Sequence, residues 1–183
     1  MRTRQDDDHA LAMLEAAAER VHTSSFVQGE VDKHERTRIS TALNECIEGV
    51  LDVERFLAHA AADARDPDLH LWLYDAAREV AAFPVGLERA LASVGAFVER
   101  SGTARGALRR AALEASVALR GRTDALVLRQ TENAVVRTVA KYDDALARLA
   151  TCTPGFVLVV VDQRKDLARI HREIVDWRKR LRG

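Results

Sequence analysis

Little in this sequence invites a tight turn or a covalent staple. Cysteine occurs only at Cys46 and Cys152, too few for a disulfide scaffold and at no zinc-ligand spacing. Three prolines and nine glycines argue against sandwiches and barrels, whose many short strands consume turn residues. The longest apolar run, Phe156 to Val161, is six residues, far short of the roughly 20 needed to cross a bilayer. Net charge is absent too: 28 basic residues balance 28 acidic ones, which excludes a wholly acidic or basic disordered chain. Lysine is scarce, confined to Lys33, Lys141, Lys165 and Lys179. No Gly-rich phosphate loop, Ser/His/Asp arrangement or nucleotide motif is present, so conventional enzyme classes find no support. Met1-Arg2-Thr3-Arg4 starts basic, but Asp6-Asp7-Asp8 follows where a secretory signal needs an apolar run. The expectation is a soluble, cytoplasmic, non-catalytic protein.

What is abundant is the helical period. Apolar residues make up 48% of the chain and recur at steps of three and four, which places them on one helix face. Residues 7–22 predict a short amphipathic helix with Leu11, Leu14, Ala18 and Val21 on one side. A long helix follows from about Glu30 to Ala64, its stripe formed by Ile39, Leu43, Cys46, Ile47, Val50, Leu57 and Ala61. Asp66-Pro67-Asp68 supplies an N-cap acceptor, a proline at the first helical position and an acid in the first turn, so a second long helix starts there. Its stripe runs Leu69, Leu73, Ala76, Val80, Phe83, Leu87, Leu91, Val94, with a kink at Pro84, whose missing N–H leaves the Val80 carbonyl unbonded. Ser101-Gly102-Thr103 breaks the chain, and residues 103–120 predict a basic helix. Thr123 and Thr153-Pro154 open two more long helices, the last reaching about Leu181. Within it, Phe156–Val161 is β-branched but has no second strand to pair with, and is predicted helical.

Four long helices with one shorter helix between the second and third predict an all-α fold. Short links make two antiparallel hairpins, and a roughly 20-residue helical crossover is long enough to join them along the bundle's length. One long crossover is the ferritin-like arrangement. Residues 1–29 are then an N-terminal helical extension, and 30–183 the four-helix-bundle domain.

Specific residues carry a resemblance. They are Leu43-Asn44-Glu45-Cys46-Ile47-Glu48 with Asp52, then Asp66-Pro67-Asp68-Leu69, then Ser101-Gly102-Thr103-Ala104-Arg105-Gly106-Ala107-Leu108-Arg109-Arg110, and Gln163 with His171 eight residues on. Over roughly residues 40–180 the chain resembles an uncharacterised bacterial family of ferritin-like four-helix-bundle proteins carrying a domain of unknown function. The resemblance implies a ferritin-like bundle and no defined activity. Arg109 stands where the family's pattern has a histidine, and Pro84 is foreign to its second helix.

A dinuclear carboxylate centre in such a bundle needs a Glu on each of two helices and Glu-x-x-His on each of the other two. Glu54 falls within the stripe of Val50, Leu57 and Ala61, so it is expected to face inward. There it would be either a metal ligand or the partner of an arginine on a neighbouring helix. Glu132 lies at the edge of its stripe beside Leu128 and Val135. Glu79 lies off its stripe, and three residues on is Ala82. Asp166 and His171 flank opposite edges of the last helix, and both Glu-x-x-His elements are missing. His171 reads as a boundary histidine bonded to a neighbouring helix, or as a ligand. The incomplete set Glu54, Glu132 and His171 is the alternative: an iron or other divalent-metal site in place of a degenerate one with no cofactor. His59 is expected to be solvated.

Residues 164–183 hold eight basic residues against three acidic ones. Cations in a last helical turn are what the helix dipole favours, so this is expected to be a solvated face and not a nucleic-acid surface. The partner expected is a second copy of the chain, a dimer in which Trp72 and Tyr74 contribute. No membrane or small-molecule partner is expected.

Overall fold

The chain leaves its first helix and enters the second through the cap that Asp66-Pro67-Asp68 predicts. The Asp66 carboxylate accepts from the backbone N–H of Asp68 (2.9 Å) and of Leu69 (3.1 Å), with Pro67 at the first helical position. The computed structural model describes residues 33–98, 124–152 and 154–181. These form five helices: α1 (Lys33–Asp63), α2 (Pro67–Ala81), α3 (Phe83–Ser93), α4 (Asp124–Leu149) and α5 (Pro154–Arg180). No strand occurs among the described residues. Phe156–Val161 is helical, with Phe156, Val157, Val160 and Val161 buried and Leu158 outward. The expected helices at 7–22 and 103–120, the extension 1–29 and the capping residues Thr123 and Thr153 lie outside the described residues.

The second long helix is corrected in two ways. Pro84 does not merely kink it; the chain stops at Ala81 and restarts at Phe83, with Ala82 closing one helix and opening the next. The second helix also ends at Ser93, well before Ser101-Gly102-Thr103. Gly95 has φ 66°, a left-handed conformation that costs glycine little. Its N–H bonds the Ala92 carbonyl (3.0 Å) and the Ala96 N–H bonds the Leu91 carbonyl (3.0 Å), the paired bonds of a Schellman stop.

Side-chain contacts fix the directions. Arg38 reaches Thr151, Glu45 meets Arg148 and Thr138 meets Gly49, so α4 runs antiparallel to α1. Tyr142 meets Gln163 and Glu132 meets Arg178, so α5 runs antiparallel to α4. Phe83 meets Gln163 and Trp72 meets Glu173, so α2–α3 runs antiparallel to α5. The result is a four-position bundle in which α2 and α3 together fill one position. Residue 124 sits beside Arg65, whose N–H bonds the Asp124 carboxylate at 3.2 Å. That is the opposite end of the bundle from Arg38 and Thr151. Leu43, Val50, Leu57, Leu73, Leu87, Leu128, Val135, Leu167, Ile170 and Ile174 fill the centre. No helix among the described residues is long and apolar enough to cross a membrane.

The α1–α4 seam is tightest at Gly49. A Cβ there would lie 2.8 Å from the Thr138 methyl and 3.3 Å from Lys141 Cδ. Thr138 cannot rotate away without losing its hydroxyl bond to the Gly49 carbonyl (3.1 Å). Gly49→Ala is therefore expected to lower stability by about 1–2 kcal/mol, the overpacking outweighing the roughly 1 kcal/mol gain in helix propensity. Thermal melts of the two proteins check this, and an alanine variant more stable than the parent would contradict it.

Candidate functional site

The polar groups of this bundle gather at its seams. Between α4 and α5, Glu132 is bonded by the Arg178 guanidinium, and His171 Nε2 lies 3.6 Å from its other oxygen. Between α2 and α5, Arg169 bonds Glu79 and also Glu173 (2.9 Å). Glu173 in turn accepts from the indole N–H of Trp72 (2.6 Å). The Trp72 ring lies against Trp177, centroids 6.3 Å apart, and the Arg180 guanidinium stands 3.7 Å over the Trp177 ring, a cation–π geometry. Between α1 and α4, Arg148 bonds Glu45, and Lys141 lies 3.9 Å from Glu48.

Two of the three expected metal ligands therefore meet: Glu132 and His171. His171 stands at the edge of its helix's buried stripe and faces Glu132 across the seam. Glu54 is elsewhere and only half-buried, a correction to its inward placement. The buried face of α1 takes in Val53 and Ala60 as well as Val50, Leu57 and Ala61, so it is centred to the Val53 side and Glu54 lies at its edge. Gly49 faces α4, and five residues on, Glu54 is turned about 140° from that direction. Among the described residues no group of three or more His, Cys, Asp or Glu side chains is placed to hold a metal ion.

The other histidines and acids are accounted for locally. Asp166 falls on the α2 side of α5, opposite His171. Burial raises its carboxyl above the ordinary carboxylate value, and Glu79 adds to this. His59 is half-buried rather than solvated. His70 Nδ1 lies 2.8 Å from the Ala61 carbonyl in the last turn of α1. Trp72, expected to be exposed, is half-buried against α5.

The bundle's centre holds a polar relay. The Tyr142 hydroxyl donates to Gln163 Oε1 (2.7 Å), and Gln163 Nε2 donates to the Phe83 carbonyl (2.9 Å). Tyr142 is 0% exposed and Gln163 8%. Gly86 makes room: a Cβ there would lie 2.9 Å from a Val159 methyl and 3.3 Å from Gln163 Nε2. Burial pushes the Tyr142 phenol well above its ordinary value, and the neighbouring Cys46 pushes the same way. The Cys46 thiol is raised to about 12, first by burial and then by Glu45, with Arg148 and Lys141 opposing. Such a thiol is protonated at neutral pH and a poor nucleophile. Among the described residues no buried side-chain nitrogen or oxygen is left without a partner.

Residues 38–148 match the family described as Domain of unknown function (DUF2383), and the chain belongs to that family. The match runs from α1 into α4, so α5, which supplies Gln163, Arg169, His171, Glu173 and Arg178, lies beyond it. No curated protein and no solved structure matches the chain.

Proposed function

We propose that this member of the family is a non-catalytic, ferritin-like bundle with a structural or interaction-mediating role and a degenerate metal site. The single observation that carries the reading is the pairing of the interhelical carboxylates with arginine. Glu132 is held by Arg178, Glu79 by Arg169 and Glu45 by Arg148. A dinuclear centre draws on a carboxylate from each helix, all free to bind the ions. A guanidinium bonded to the carboxylate already satisfies the charge and lone pairs that a metal would use. The place proposed for the protein is the cytoplasm, where its two free thiols would stay reduced.

The same pairing speaks against a nucleic-acid surface on α5. Arg164 bonds Asp143, Lys179 bonds Asp176, and Arg180 stacks on Trp177, so much of its positive charge is already engaged. A second reading rests on the closeness of His171 to Glu132: an incomplete iron or other divalent-metal site, from which Arg178 would have to withdraw.

Elemental analysis of the purified full chain, before and after equilibration with ferrous iron or zinc and desalting, separates the two. The expected content is well under one metal ion per chain. Retention of one equivalent or more, lost on Glu132→Ala, would establish the second reading instead.

A further inference from the structure

The outward face of α2 and the start of α3 carries a row of exposed residues at seam spacing. Leu71 is 59% exposed, Tyr74 51% and Val85 49%. Arg78 and Ala81, exposed as well, complete the line. The steps 71, 74, 78, 81 alternate three and four along α2, the spacing with which one helix packs along another, and Val85 extends the row onto α3 beyond the break at Ala82. Single exposed apolar side chains are ordinary, whereas several aligned on one face fit a contact with another helix. Asp75 flanks Arg78 on the same face, both exposed, and neither makes an ion pair among the described residues.

We propose that this face joins two copies of the chain, with their α2 helices antiparallel about a twofold axis at the level of Ala76. In that register Tyr74 lies against Arg78 of the partner subunit, a cation–π pair made twice by symmetry. Asp75 comes within reach of the same Arg78 of the partner subunit. Leu71 meets Ala81 of the partner subunit, and Pro67 meets Val85 of the partner subunit. Charge disfavours two competing arrangements. Centring the axis at Arg78, or packing the helices in parallel, sets Arg78 against Arg78 of the partner subunit, and like charges directly opposed are destabilising. A surface that carries its own complement, acid beside base beside aromatic, fits an isologous pair of copies. Trp72 takes no part, because its ring is engaged with α5. The inference is independent of the functional reading above, since it uses none of the seam carboxylates.

Sedimentation of the full chain at high micromolar concentration tests it, with an expected mass of twice the 20.3 kDa chain. Asp75→Arg and Arg78→Asp are each expected to weaken pairing about tenfold or more, with circular dichroism unchanged. Mixed in equal amounts, the two variants are expected to form a one-to-one heterodimer. The first then presents two positive charges on this face and the second two negative ones. A parent chain that sediments as a monomer would overturn the proposal. So would a dimer that both substitutions leave intact, or two monomeric variants that fail to pair on mixing.

Discussion

Gln163→Leu is expected to cost about 2–4 kcal/mol of folding stability, although leucine is apolar, of similar size and well suited to a helix. The loss comes from what stays behind. The Tyr142 hydroxyl is wholly buried and donates to Gln163 Oε1, so removing that oxygen leaves a donor with no water to turn to. The Phe83 carbonyl loses the amide that ties α3 to α5, but it lies in the first turn of α3 and keeps its place in the helix ladder. For a chain of this length the penalty corresponds to a fall in Tm of about 5–12 °C. Tyr142→Phe/Gln163→Leu is expected to recover much of the loss, because removing donor and acceptor together leaves an apolar contact in place of an unsatisfied one. Thermal or denaturant unfolding of the parent, both single variants and the double variant gives the coupling directly. A Gln163→Leu protein as stable as the parent would contradict the relay, and so would a double variant no better than the sum of its singles.

That relay was within reach of the sequence in a way the other seam was not. In an antiparallel hairpin, residues equidistant from the turn face each other. Tyr142 stands eleven residues before Thr153 and Gln163 ten after it, so two polar groups on opposing buried stripes are a foreseeable pair. The same count brings Glu132 near His171. Glu79 and Arg169 have no such turn between them; they meet across helices whose register is set by packing over the whole bundle. Glu54 shows a different limit. Val50, Glu54, Leu57, Ala61 and Val50, Val53, Leu57, Ala60 both step by three and four, and the hydrophobic pattern alone does not choose between phases one residue apart. The interior takes in Val53 and Ala60 beside Val50, Leu57 and Ala61 and leaves Glu54 at its edge, half in water rather than buried without a partner. Gly95 is the opposite case. The signal was present in a single residue, and the apolar stripe continuing to Val94 concealed it. Asp66-Pro67-Asp68 was readable in full because a cap is local: its donors, acceptor and proline all lie within four residues.

Raising the pH from 8 to 10.5 is expected to remove roughly 2–3 kcal/mol of stability, and the sign follows chiefly from two buried acids, with the Cys152 thiol, also raised by burial, adding to it. The Cys46 thiol is raised from 9.0 to about 12 in the folded chain, and the Tyr142 phenol is raised well above 10.0. Below about pH 8 both groups are protonated whether the chain is folded or not, and they contribute nothing to the pH dependence. Above it the unfolded chain releases the Cys46 proton while the folded chain keeps it. Each further unit then favours unfolding by up to about 1.4 kcal/mol, until the folded thiol itself ionises near 12. Tyr142 adds the same slope from about pH 10 upward. Burial dominates both shifts. Of the charges around Cys46, Glu45 reinforces its shift, and Arg148 and Lys141 oppose it. Arg148 is itself raised by its bond to Glu45 and stays charged throughout. The exposed pairs Lys141–Glu48 and Lys179–Asp176 contribute little to stability. Denaturant midpoints measured at intervals between pH 8 and 10.5 give the slope, and Cys46→Ala should make it shallower between 9 and 10, leaving the part that begins near 10 to Tyr142. A parent stability flat across this range, or a Cys46→Ala slope equal to the parent's, would show that the thiol ionises without unfolding the bundle around it.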